Sequence, residues 1–160
     1  MQIQVLLLAQ VQMDNKGFTL IEILIVIVII AIISTTAVLS YITFLTETNL
    51  QSSIQTISSV IKTAQDNSIN SFNGYSSWGV EIAPNNITLF EGSSFNEGNT
   101  TNKIYTLPGT IGIFNITPVD SNPIVFLGPQ GTLTNGAISF DLGNSLSSEN
   151  VNVNTNGAIY

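Results

Sequence analysis

The chain has 160 residues and a formal net charge of −7, enough length for one modest globular domain plus a membrane segment. Its three cations, Lys16, Lys62 and Lys103, are not clustered, so nucleic acid is not expected as a partner. The absence of Cys and His excludes disulfides, zinc–thiolate sites, cysteine nucleophiles and the commonest general base. No catalytic residue, metal ligand or cofactor site stands out, and no enzymatic activity is expected. Charged residues make up 8% of the chain, against roughly 25% in soluble domains. Outside one apolar block, polarity comes from Asn, Ser, Thr and Gly.

That block comes first in chain order. From Phe18 to Thr46 the only charged residue is Glu22, and Ile23 to Ile33 is apolar without interruption. Crossing a bilayer takes about 20 mostly apolar residues. The β-branched composition favours a strand in water, but in lipid a lone span must be helical to satisfy its own backbone. Lys16 points to a cytoplasmic N-terminus. Beyond residue 46, Leu50, Ile54, Ile57, Ile61 and Ala64 form one stripe at helical spacing. No Gly or Pro interrupts Phe18 to Phe72. A helix of roughly 50 residues would measure about 75–80 Å.

From Gly74 onward the signals are those of short strands. Trp78, Val80 and Ile82 alternate with Gly79, Glu81 and Ala83. Pro84-Asn85-Asn86 reads as a turn, and Ile87–Glu91 as the returning strand. Gly92 to Asn102 is a polar loop. Ile104–Leu107 and Ile111–Phe114 flank a Pro108-Gly109 turn. Further strands are predicted at Ile124–Leu127, Ala137–Asp141, Val151–Val153 and Ala158–Tyr160, with a turn at Gly128-Pro129-Gln130-Gly131. The predicted fold class is α+β: a long N-terminal helix, membrane-spanning in its first half and amphipathic in its second, packed on one small antiparallel sheet. Trp78, at alternating strand spacing, is expected in the core. Lys62 is expected to be solvated.

The most informative run is Lys16-Gly17-Phe18-Thr19-Leu20-Ile21-Glu22, placed just before the apolar block. It resembles the class III signal sequence of type IV pilins and type II secretion pseudopilins. The resemblance implies cleavage between Gly17 and Phe18 by a prepilin peptidase, N-methylation of Phe18, and pairing of Glu22 with the α-amino group of a neighbouring subunit. It implies as partners other pilin subunits, in a homo- or hetero-filament, and an inner-membrane assembly platform. It implies a single-pass precursor in the cytoplasmic membrane, and then a cell-surface or periplasmic filament. The corresponding division is a leader at 1–17, a transmembrane and polymerisation helix at 18–45, its amphipathic continuation at 46–73 and a β-rich domain at 74–160. A leader of the usual short polar kind would begin at Met13, which is the expected translation start.

Each position has a plainer reading. Glu22 also suits the start of any membrane helix, where the helix dipole favours a carboxylate. Gly17 also suits a flexible joint, and Thr35-Thr36-Ala37 loosely fits a conventional signal-peptidase site. Trp78-Gly79-Val80, Leu89-Phe90, Gly131 before Ile138–Phe140, and Asn156-Gly157-Ala158-Ile159 resemble minor pseudopilins of the H type. Asp141 and Glu149 are too sparse for a calcium loop, and the C-terminus carries no basic tail. The readings left open are a filament subunit, a minor pseudopilin of a secretion system, and an anchored binding module that does not polymerise.

Overall fold

The computed structural model describes residues 17–160. The expected leader through Lys16, with the expected start at Met13, lies outside the described residues. A single α-helix, α1, runs Leu20–Ile69. Eight strands follow: β1 Ser77–Ala83, β2 Asn86–Glu91, β3 Lys103–Thr106, β4 Gly112–Thr117, β5 Ile124–Leu127, β6 Thr132–Leu133, β7 Ile138–Gly143 and β8 Ser148–Val153. The class is α+β, a long helix with antiparallel sheets, consistent with the pilin fold. The described residues fall into two compact units, one ending at Ser40 and the other Tyr41–Tyr160.

In the second unit, the helix buries Thr46, Leu50, Ser53, Ile57, Val60, Ile61, Ala64, Gln65 and Ser68. Three- and four-residue steps dominate this set, so it forms one face. Ile54 is only partly buried. The small hydroxyls on this face satisfy themselves: Ser53 Oγ donates to Asn49 O at 2.7 Å and Ser68 Oγ to Gln65 O at 2.8 Å. Such back-bonding lets a serine enter a core without an orphaned donor.

The strands form two sheets where the sequence predicts one. The first has the order β3-β2-β1-β5-β6, the second β4-β7-β8. β1 and β2 pair in a tight hairpin with Ala83 opposite Asn86. The division arises at residues 107–113. Leu107 N donates to Asn85 O, and Ile113 N to Pro84 O. The connection through Pro108-Gly109 is therefore bonded to the β1–β2 turn, and β4 departs into the second sheet. Both sheets turn alternate residues to the helix. Trp78, Val80, Ile82, Ile87, Leu89, Ile124 and Phe126 join Ile113, Ile138, Phe140, Leu142, Val151 and Val153 in one core with Leu50, Ile57 and Ile61.

Two local predictions need correction. Ala158–Tyr160 is not a strand but makes a single bridge, Val153 to Ile159. Asn154 Oδ1 accepts from the backbone N–H groups of Asn156 and Ala158, which shapes the turn, and the returning segment is held to the end of β8 by reciprocal backbone bonds between Asn152 and Tyr160, both 3.0 Å. The α-helix also ends at Ile69, short of the 46–73 expected for its amphipathic continuation. Ser71 takes a left-handed conformation (φ 48°), and a short 3-10 turn spans Phe72–Gly74.

Gln65 ties the helix to two loops that are distant in sequence. Its Nε2 donates to Gly131 O at 2.8 Å and to Asn156 O at 2.6 Å. Its Oε1 accepts from Lys62 Nζ at 2.9 Å. Gly131 and Gly157 have positive φ and approach so closely that a Cβ would meet Ile69 and Gln65 at 2.7 and 2.6 Å respectively. Only glycine fits there without displacement. A buried amide with all three partners in place is stabilising, whereas removal of any partner strands the others.

Candidate processing and assembly segment

Gly17, Phe18 and Thr19 are non-helical, and α1 begins at Leu20. Thr19 sets that boundary. Its Oγ1 accepts from the Glu22 N–H at 3.2 Å, and its carbonyl accepts from the Glu22 and Ile23 N–H groups. This is N-cap geometry. Thr19-Leu20-Ile21-Glu22 also has the Thr-x-x-Glu spacing of a capping box, a signal in the sequence that the motif reading passed over. Phe18 thus stands directly before the cap, 77% exposed. Glu22 lies in the first helical turn, where the unpaired N–H groups favour an anion. Among the described residues nothing pairs with its carboxylate.

Gly17 is exposed, and a Cβ built on it would meet nothing within 4 Å. Nothing in the described chain therefore requires glycine at this position. The helix that follows is exposed as well. Its described side chains through Leu45 are exposed, among them Leu20 at 84%, Ile32 at 62% and Phe44 at 70%. An 18-residue window of the helix has mean hydropathy 2.9, enough by length and composition to cross a membrane. Two of its hydroxyls are turned back onto the helix: Ser34 Oγ donates to Ile30 O at 2.7 Å and Thr35 Oγ1 to Ile32 O at 2.8 Å. That arrangement suits an apolar medium, where water cannot satisfy them.

The other singled-out residues take quieter places. Trp78 is 4% exposed in the core, its indole 5.8 Å from the Phe72 ring. Lys62 is exposed and lies 3.5 Å from Asp66 while also serving Gln65. Asp141 receives Asn150 Nδ2 at 2.7 Å and Asn115 Nδ2 at 2.8 Å. Glu149 receives Gln51 Nε2 at 3.2 Å. Hydrogen bonds from Asn150 and then Asn115 hold the Asp141 carboxyl below its usual range. By linkage, its contribution is present above the unfolded-state value and is lost as pH falls through the folded one. Gln65 escaped sequence reasoning, because a glutamine on an amphipathic helix reads as a solvent residue.

Glu81 behaves in the opposite sense to Asp141. Burial pushes its carboxyl up, partly offset by the hydrogen bond from Asn122. A raised folded-state value means the folded chain holds this proton more tightly than the unfolded chain does. Stability therefore falls as pH rises from the unfolded value through the folded one. Glu81→Gln removes this decline. Urea denaturation of the full chain between about pH 4 and about pH 7 should show the variant gaining stability relative to the parent as pH rises. A constant difference would contradict the assignment.

Residues 12–38 match the family model of the prokaryotic N-terminal methylation motif. No curated protein and no solved structure matches the chain significantly. The motif is the signature of type IV pilins and pseudopilins, a structural rather than enzymatic class. Together with the apolar helix it fits a membrane-anchored precursor and supports a type IV pilin-like or pseudopilin subunit.

Proposed function

We propose that the chain is a prepilin-like precursor that is cleaved between Gly17 and Phe18, methylated on the new Phe18 amine, and assembled into a filament through residues 18–45. The methylation motif at 12–38 carries this reading. In the proposal, the leader is 1–17, the helix 18–45 anchors the precursor in the cytoplasmic membrane with its N-terminus inside, 46–73 continues it, and 74–160 forms the β domain outside. A prepilin peptidase would act on the Gly17–Phe18 bond, and an inner-membrane platform would feed the subunit to its neighbours. The exposed helix supports this scheme: an all-apolar helix needs lipid before assembly and other helices after it.

Glu22 supplies the register. A carboxylate at membrane depth costs a few kcal/mol. The α-amine released on Phe18 of a neighbouring copy offsets that cost at short range, since the attraction grows as the medium dries. Breaking one side of a desolvated pair costs about 3–5 kcal/mol, on the order of a hundredfold or more in association. Glu22→Ala should therefore leave the precursor cleaved and abundant in the membrane while filaments disappear from sheared cell fractions. Normal filament yield from this variant would refute the pairing.

A further inference from the structure

The outer face of the five-stranded sheet carries a hollow of about 490 Å³, within the roughly 300–1,000 Å³ of small-molecule sites. Glu81 lines it, on the central strand β1 and pointing away from the core. Asn122 forms one wall. Its Oδ1 accepts from Ile82 N at 2.9 Å and its Nδ2 donates to Ile82 O at 2.8 Å. The side-chain amide thus stands in for a strand residue and extends the β1–β5 ladder. The same Nδ2 donates to Glu81 Oε1 at 3.2 Å. These bonds fix one carboxylate oxygen and leave Oε2 without a partner among the described residues.

Part of the lining is aromatic. The polar loop after β2 returns Phe95 onto Phe90, ring centroids 5.4 Å apart. Phe90 is itself buried over Gly79. Phe95 is only half-buried and lines the hollow. Ser93, Ser94 and Asn135 furnish hydroxyls and an amide at the rim. The site therefore combines a pre-positioned acceptor, neutral polar rim groups and an aromatic ring. Glu81 is its only charged lining residue, and with a net charge of −7 the chain disfavours anions.

We propose that this hollow binds a neutral sugar unit of a glycan, with paired hydroxyls donating to Glu81 and the C–H face of the ring lying against Phe95. A partly buried carboxylate gains from hydroxyl donors that replace lost water. The aromatic ring supplies apolar contact without demanding charge. The site does not depend on filament assembly.

The full chain, held in an amine-oxide detergent whose headgroup is not a sugar, is titrated with the methyl glycosides of glucose, galactose, mannose and N-acetylglucosamine. NMR follows the Ser94 and Asn135 backbone amides and the Asn122 side-chain amide. At least one glycoside should shift all three in the millimolar range. Glu81→Gln and Phe95→Ala should each weaken that binding about tenfold, the loss of one charged hydrogen bond or one ring contact. Asn135→Ala, on an exposed loop and so without risk to folding, should weaken it as well. Unchanged amide shifts for Ile138–Gly143 certify each variant as folded. The proposal is overturned if no glycoside shifts these amides, if the three variants bind as the parent does, or if propylamine shifts them and the glycosides do not.

Discussion

Gly17→Val should stop the proposed cleavage of the precursor while leaving the β domain as stable as before. The two halves of that result have separate causes. Nothing lies within 4 Å of a Cβ at Gly17, so the substitution meets no resistance from the chain itself, and an exposed change of this kind costs within about 0.5 kcal/mol. A peptidase that draws the backbone into a cleft meets a branched side chain at the bond it must cut, and valine also restricts the extended approach that glycine permits. Immunoblots should show only the longer precursor, and thermal melting should be unchanged. A variant processed at the parental rate would mean that glycine serves only as a joint. That outcome is distinct from the one Glu22→Ala tests, because in the proposed sequence cleavage precedes pairing.

Gly128→Ala should produce the reverse pattern: normal processing with a weakened domain. Gly128 follows β5, and its N–H donates to Ser76 O at 2.7 Å. A Cβ added there would overlap the backbone carbonyl oxygen of Ser68 and lie 3.1 Å from Ser76 O. Neither obstacle is the free end of a side chain. Ser68 is fully buried on α1, so relief requires moving the helix end or the loop that carries Gly131 to Gln65. Overpacking of this type costs about 1–3 kcal/mol, occasionally more, and we expect the upper part of that range. For a domain of this size, that corresponds to a fall in Tm of roughly 6–12 °C. An unchanged melting temperature would show that the loop yields freely.

Different parts of this molecule were legible in the sequence to different degrees, for physical reasons. The helix was legible because an unbroken apolar block and a stripe of Leu50, Ile57, Ile61 and Ala64 obey a period that strands cannot satisfy. Most strand positions followed from alternation, since each half-buried strand must turn every second residue inward, but the two-residue strand Thr132–Leu133 is too short to show a period. The division into two sheets was not legible, because it depends on Asn85 and Pro84 offering carbonyls to Leu107 and Ile113, and backbone acceptors leave no mark in a sequence. The same holds for Asn122, whose amide imitates a peptide. In the candidate segment, Gly17, Phe18 and Glu22 were found as a motif and not as a geometry. Thr19 could have been found from its spacing to Glu22. The side chains that read most clearly are exposed in the described chain, as expected when a segment is shaped for other molecules.

The bonds of Gln65 also impose an order of events on biogenesis. Its two carbonyl partners lie 66 and 91 positions further along the chain. A chain emerging from its helix first cannot close this latch until Asn156 arrives. A subunit broken off before Asn156 would keep its helix but hold a buried amide short of an acceptor, and the helix face prepared for the sheets would stay loosely covered. The latch thus discriminates chains that include Asn156 from shorter ones, and it does so on the helix face that the sheets cover.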